Sequence, residues 1–135
     1  MHLFQETLQR ISLKLRWENK MSKLQAEGME LAPGVIETII SVTVKDVEGV
    51  ASVGSYVASG FRSVFTDRPS SQGVTVELDD NDALIIEVHV DAYYGFCLPD
   101  VAVEIRKAVS TAISVQVGMK VAMVNVYFDG VQFVS

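Results

Sequence analysis

Three groups of side chains in this 135-residue chain have the types and spacing to do chemistry. Glu77, Asp79, Asp80 and Asp82 crowd four carboxylates into a short stretch, a density that suits a hard cation such as calcium. A calcium-binding loop of the twelve-residue type needs glycine at its sixth position and a bidentate glutamate at its twelfth. Counted from Asp79, those positions hold Leu84 and Val90, so the acids read as a solvated turn. Glu87, His89 and Asp91 alternate along an expected strand and therefore share one sheet face, where such a row can hold a metal or pass a proton. His2 is the only other histidine and lies far away in sequence, so the plainer role of the row is to face water or a partner. Cys97 precedes Pro99 at an expected helix start, a place that favours a reactive thiolate. No second cysteine is present to resolve an oxidised form, and the nearest candidate base, His89, lies on the preceding strand. A Gly-rich phosphate loop, a nucleophile elbow and an HExxH motif are all missing. The expectation is a protein that is not an enzyme, with no catalytic residue, no cofactor and no metal.

The elements that position these groups follow from periodicity. Val74, Val76 and Leu78 alternate with Thr75, Glu77 and Asp79, the signature of a strand with one buried face. Asp79 to Asp82 supply a turn whose short polar side chains satisfy the backbone locally. The return strand sends Leu84, Ile86, Val88, Val90 and Ala92 one way and Glu87, His89 and Asp91 the other. Pro99, Asp100 and Glu104 mark a helix start, with acids near the positive end of its dipole. Its apolar stripe is Val101, Ile105, Ala108, Val109, Ala112 and Ile113, and Gly118 is placed to cap it. A last strand runs from Lys120 to Phe128, with Asp129-Gly130 as a bend before Val131–Val134.

Upstream, Gly28–Leu31 reads as a short strand. Pro33 then opens a helix over 34–47 whose face is Ile36, Ile39, Ile40, Thr43 and Val47. Gly49 ends it and Val50–Val53 forms another short strand. Residues 54–73 are punctuated by Gly54, Gly60, Pro69, Ser70, Ser71 and Gly73 and read as a mobile excursion. Its Phe61 and Phe65 belong either to a satellite cluster or to a partner surface. The fold class is therefore α+β: a two-layer sandwich in the order β-α-β, loop, β-β-α-β, with two helices packed on one face of a small mixed sheet.

Residues 1–24 stand apart as an extension, leaving 25–135 as one domain. Leu3, Phe4, Leu8, Ile11 and Leu15 form a helical stripe that serves either a loosely attached terminal helix or an anchor to a membrane surface or partner. Met21 would serve as a second start, which would make the first residues upstream sequence. The extension holds Arg10, Lys14, Arg16, Lys20 and Lys23 against Glu6 and Glu18, a net charge of +3, so the chain's −6 divides into +3 on the extension and −9 on the body. An acidic body argues against nucleic acid, whose phosphates need a basic footprint. No apolar run approaches the roughly 20 residues of a membrane span, and no signal peptide is evident. One cysteine fits a reducing, cytoplasmic setting.

The chain resembles the bacterial alkaline shock protein family, the Gls-type envelope stress response proteins. The matching features are Ala32-Pro33 with Val35-Ile36, then Val47-Glu48-Gly49-Val50, then Gly73-Val74-Thr75-Val76. Tyr94-Gly95 ahead of Leu98-Pro99-Asp100-Val101-Ala102, and Val124-Asn125-Val126 followed by Gly130-Val131, complete the pattern from about Gly28 to Phe133. The resemblance implies a cytoplasmic, non-enzymatic protein of cell-envelope homeostasis, peripheral at the inner face of the membrane where a small integral-membrane partner holds it. It also implies self-association, and it carries no catalytic residue over. The family's lysine-rich patch is reduced here to Arg62 and Arg68, and the apolar stripe of residues 1–24 is additional. Its expected mode of action is as a scaffold or adaptor, through the sheet face of Glu87, His89, Asp91 and Tyr93 and the segment around Phe61 and Phe65. Reversing charge at Glu87 and Asp91 would then weaken partner capture without changing the melting temperature. The rivals are a small nucleic-acid-binding module, supported by fold analogy alone, and a ligand- or metal-sensing domain built on His89.

Overall fold

A computed structural model describes residues 15, 17–20, 28–32, 34–54 and 73–134. Its centre is β3 (Leu84–Tyr93), a strand whose two edges are both taken. On one edge β4 (Val121–Gln132) runs parallel, from Leu84↔Val121 to Tyr93↔Gln132. A parallel neighbour needs a crossover, and α2 (Leu98–Gln116) supplies it. The other edge carries β1 (Val50–Val53) and β2 (Val74–Leu78), both antiparallel to β3 and laid end to end. Val53 lies opposite Val90 and Val74 opposite Val88. Between them, Gly54 donates its N–H to the His89 carbonyl (2.7 Å), and the His89 N–H donates to the Gly73 carbonyl (2.7 Å). One residue would ordinarily make both bonds, so two glycines share a single rung and β1 and β2 form one interrupted strand. A Cβ on Gly73 would sit 2.7 Å from the Gly54 Cα, and both residues have positive φ, which explains the residue type at each.

Helix α1 (Val35–Lys45) and α2 pack on the same face of the sheet. Ile36, Ile40 and Val44 from α1 meet Val101, Ile105, Val109 and Ile113 from α2 over Leu84, Ile86, Val88 and Val90. Ile40, Leu84, Ile86, Ile105 and Ile113 are fully buried, each worth about 2 kcal/mol of transfer free energy. The β-branched residues that α1 carries are poor helix formers, and this packing compensates for them. Trp17, in a helical stretch, is half-buried against the same core, whereas Leu15 is 55% exposed.

The α+β sandwich with two helices on one face of a mixed sheet is as expected, with four local differences. Gly28–Leu31 forms no strand; Met29 and Leu31 instead pack their side chains against the core. Helix α1 begins at Val35 with Gly34 as its N-cap, not at a proline in its first turn. Its buried stripe continues through Val44 rather than Thr43, whose hydroxyl donates to the Ile39 carbonyl (2.7 Å). Asp129-Gly130 is not a bend between strands: β4 runs straight through it with one extra residue. The hairpin turn is as expected, with Asp79 Oδ1 accepting the N–H groups of Asn81 (2.8 Å) and Ala83 (2.9 Å). Phe61 and Phe65 lie outside the described residues, as does the stripe from Leu3 to Ile11.

Candidate interaction face

With both helices on one side, the other face of the sheet is open among the described residues. Alternation fixes what it presents. From β3 come Ile85, Glu87, His89 and Tyr93, all half-buried; from β4 come Met123, Asn125 and Tyr127; from β2 come Thr75 and Glu77. Register makes rows across the strands. Ile85 lies beside Met123, Glu87 between Thr75 and Asn125, and His89 beside Tyr127. Met123 is 52% exposed and Tyr127 43%, unusual values for large side chains in a strand.

The bulge in β4 organises the upper half of this face. Phe128 pairs with Val90 and Gly130 with Asp91, so Asp129 is the extra residue. A bulge re-aims its side chain. Here it brings the Asp129 carboxylate to His89, whose Nδ1–H donates to Oδ2 (2.9 Å) and Oδ1 (3.2 Å). A carboxylate only accepts, which fixes the proton on Nδ1. The imidazole also stacks on Tyr127, with centroids 4.7 Å apart and planes 13° from parallel. Held on both sides, His89 is part of a rigid surface.

Asp91 departs from the expectation of an exposed row. It is 9% exposed, the one polar residue buried among the described residues. Its Oδ2 accepts from Gln132 Nε2 (3.2 Å) and Ser52 Oγ (3.5 Å), tying β1 to β4 across β3. Gly130 leaves it room, since a Cβ there would come within 2.9 Å of Asp91 Oδ1. Burial and bonding make Asp91 a brace, and reversing its charge would damage the sheet as well as the surface. Glu87 and His89 remain available on the face, and Tyr93 lies farther along it. Asp129 and Tyr127 had gone unrecognised as members. Asp-Gly inside an alternating strand was the available signal, because that pair suits a bulge as well as a turn.

The other candidate chemistries do not assemble. No three His, Cys, Asp or Glu side chains converge as a metal site among the described residues. Cys97 is exposed at the N-cap of α2, in a groove of about 240 Å3 shared with Glu48, Phe96, Asp100, Val101 and Glu104. That lining offers no histidine or cation of the kind that accompanies a nucleophilic thiolate. A second groove, of about 410 Å3, lies between α2 and the outer edge of β4. There Arg106 Nε donates to the Val124 carbonyl (3.1 Å) and covers part of the edge. No described helix is long and apolar enough to cross a membrane.

A family model described as alkaline shock protein 23 family, cell envelope-related function, matches residues 21–133. The uncharacterized protein YqhY of Bacillus subtilis strain 168 is 27% identical over 121 residues, covering 86% of this chain and 89% of that protein. The uncharacterized proteins Spy1614 and Spy1535 of Streptococcus pyogenes serotype M6 are 27% identical over 109 residues and 24% over 101. These matches cover 79% and 75% of this chain, and 89% and 76% of the two proteins. No solved structure gives a significant match.

Proposed function

This chain belongs to the alkaline shock protein 23 family, of cell envelope-related function, and we propose that it acts there as a non-enzymatic scaffold or adaptor. It works by protein–protein contact and sits at the inner face of the membrane by way of a partner. The observation that carries this reading is the open sheet face. A fixed surface of Ile85, Glu87, Met123 and Tyr127, with His89 locked between Asp129 and Tyr127, is built to be touched rather than to turn over a substrate. The acidic body favours a protein partner over nucleic acid.

Affinity capture of the tagged full chain from gently solubilised cells tests the reading, with Glu87→Lys and Tyr127→Ser variants alongside. The parent should retain a partner in near-stoichiometric amount, a small integral-membrane protein being the expected class. Both variants should lose at least about 90% of it while staying folded; Tyr127→Ser should also melt a few degrees lower, because it removes the stack on His89. Retention of the same partner by both variants would refute the face. Recovery of RNA that resists nuclease controls would refute the protein-adaptor reading.

A further inference from the structure

The open face carries enough pattern to specify what covers it. Parallel strand pairs are ordinarily buried on both sides, because the helical crossover covers one face and another element covers the second. The β3–β4 pair is parallel, yet only α1 and α2 cover it among the described residues. Along its seam the apolar contacts come at two places: Ile85 beside Met123, and His89 stacked on Tyr127. Four strand residues separate the two, about 13 Å at about 3.3 Å per residue. Two turns of helix, from i to i+7 or i+8, advance about 11–12 Å, so one apolar stripe reaches both.

Charge fixes the flanks of that helix. Glu77 and Glu87 border the seam on one side and Asp129 stands at its far end. The four strands contain no lysine or arginine. An acidic or neutral helix laid here would meet like charge or leave the glutamates uncompensated, whereas a basic one pairs with them. We infer that the open face of the β3–β4 pair is the docking site for a basic amphipathic helix of a partner protein, apolar side down, with lysines or arginines over Glu77 and Glu87. The inference rests on the adaptor reading and names the partner chemistry for that surface.

The test is nuclear magnetic resonance titration of the full chain with two synthetic helical peptides of identical apolar pattern, one built from leucine and lysine, the other from leucine and glutamate. The expected result is a saturable shift of Ile85, Met123 and Tyr127 signals with the lysine peptide and none with the glutamate peptide. Glu77→Lys with Glu87→Lys should weaken that binding by about tenfold or more, in a chain whose other β-sheet signals are unmoved. Equal binding of both peptides, shifts centred away from the β3–β4 seam, or indifference to the double variant would each overturn the inference. A third peptide, residues 1–24 of this chain, carries the same type of stripe and basic excess. If it occupies the seam more tightly than the leucine-lysine peptide, the occupant is the chain's own extension and the partner assignment falls. Loss of the captured partner in the glutamate variants without lysine-peptide binding would reject the basic helix alone. Retention of the partner would reject the face.

Discussion

Removing residues 55–73, so that Gly54 joins Val74 directly, should leave a folded protein of equal or greater stability. Gly54 and Gly73 divide between them the two hydrogen bonds that one residue opposite His89 would make. After the deletion Gly54 can make both, and Val53 and Val74 keep their partners Val90 and Val88. Holding together the ends of a connection of about 20 residues costs roughly 2.5–3 kcal/mol by the logarithmic closure term. Abolishing the loop recovers that amount, less whatever contacts the segment makes. The predicted change lies between zero and a gain of about 3 kcal/mol, or up to about 10 °C in melting temperature. Urea unfolding followed by circular dichroism measures it, and amide exchange at His89 reports whether the rung has re-formed. A loss of more than about 1 kcal/mol, or a freely exchanging His89 amide, would refute the idea that β1 and β2 are one strand.

Other features give sharper local tests. Gly130→Ala should cost about 1–2 kcal/mol by forcing Asp91 off its bonds to Gln132 and Ser52, and that cost should nearly vanish in an Asp91→Ala background. Additive effects in denaturant titrations would show that the two do not touch. Ile105→Ala, at a fully buried position between the helices and the sheet, should lose about 3 kcal/mol, and a loss under about 1 kcal/mol would mean that the core is not closed there. Asp79→Ala should cost about 1 kcal/mol by stranding the N–H groups of Asn81 and Ala83, and Asp79→Asn should recover most of it. Equal losses in the two variants would show that the turn bonds are not the cause.

What was legible in the sequence is what repeats locally. The alternation of Val74–Leu78 and Leu84–Ala92 placed the hairpin and its buried face, and the stripe from Val101 to Ile113 placed α2. What stayed hidden depends on who sits beside whom. Gly28–Leu31 has strand-like composition, yet its backbone joins no strand, and Met29 and Leu31 pack their side chains against the core. Asp91 alternates with Glu87 and His89, yet its burial comes from Ser52 and Gln132, residues distant in sequence on the neighbouring strands. The same holds for His89, whose partner Asp129 is delivered by a bulge that alternation alone cannot register. The face was readable as a face; its internal braces were not.

The central place of β3 also sets the order in which the chain can assemble during synthesis. Every strand pair includes β3, so β1 and β2, which leave the ribosome first, have no pairing partner in the sheet. At about 5–20 residues per second, several seconds pass between the appearance of Val50 and that of Tyr93. Through that interval the apolar faces of α1, β1 and β2 are committed to a strand that does not yet exist. Once it emerges, β1 and β2 can close on one edge immediately, whereas β4 must wait for all of α2. The nascent protein therefore passes through a stage with β3 half-clothed, its second edge open. At that stage the chain is most exposed to association with its neighbours on the polysome.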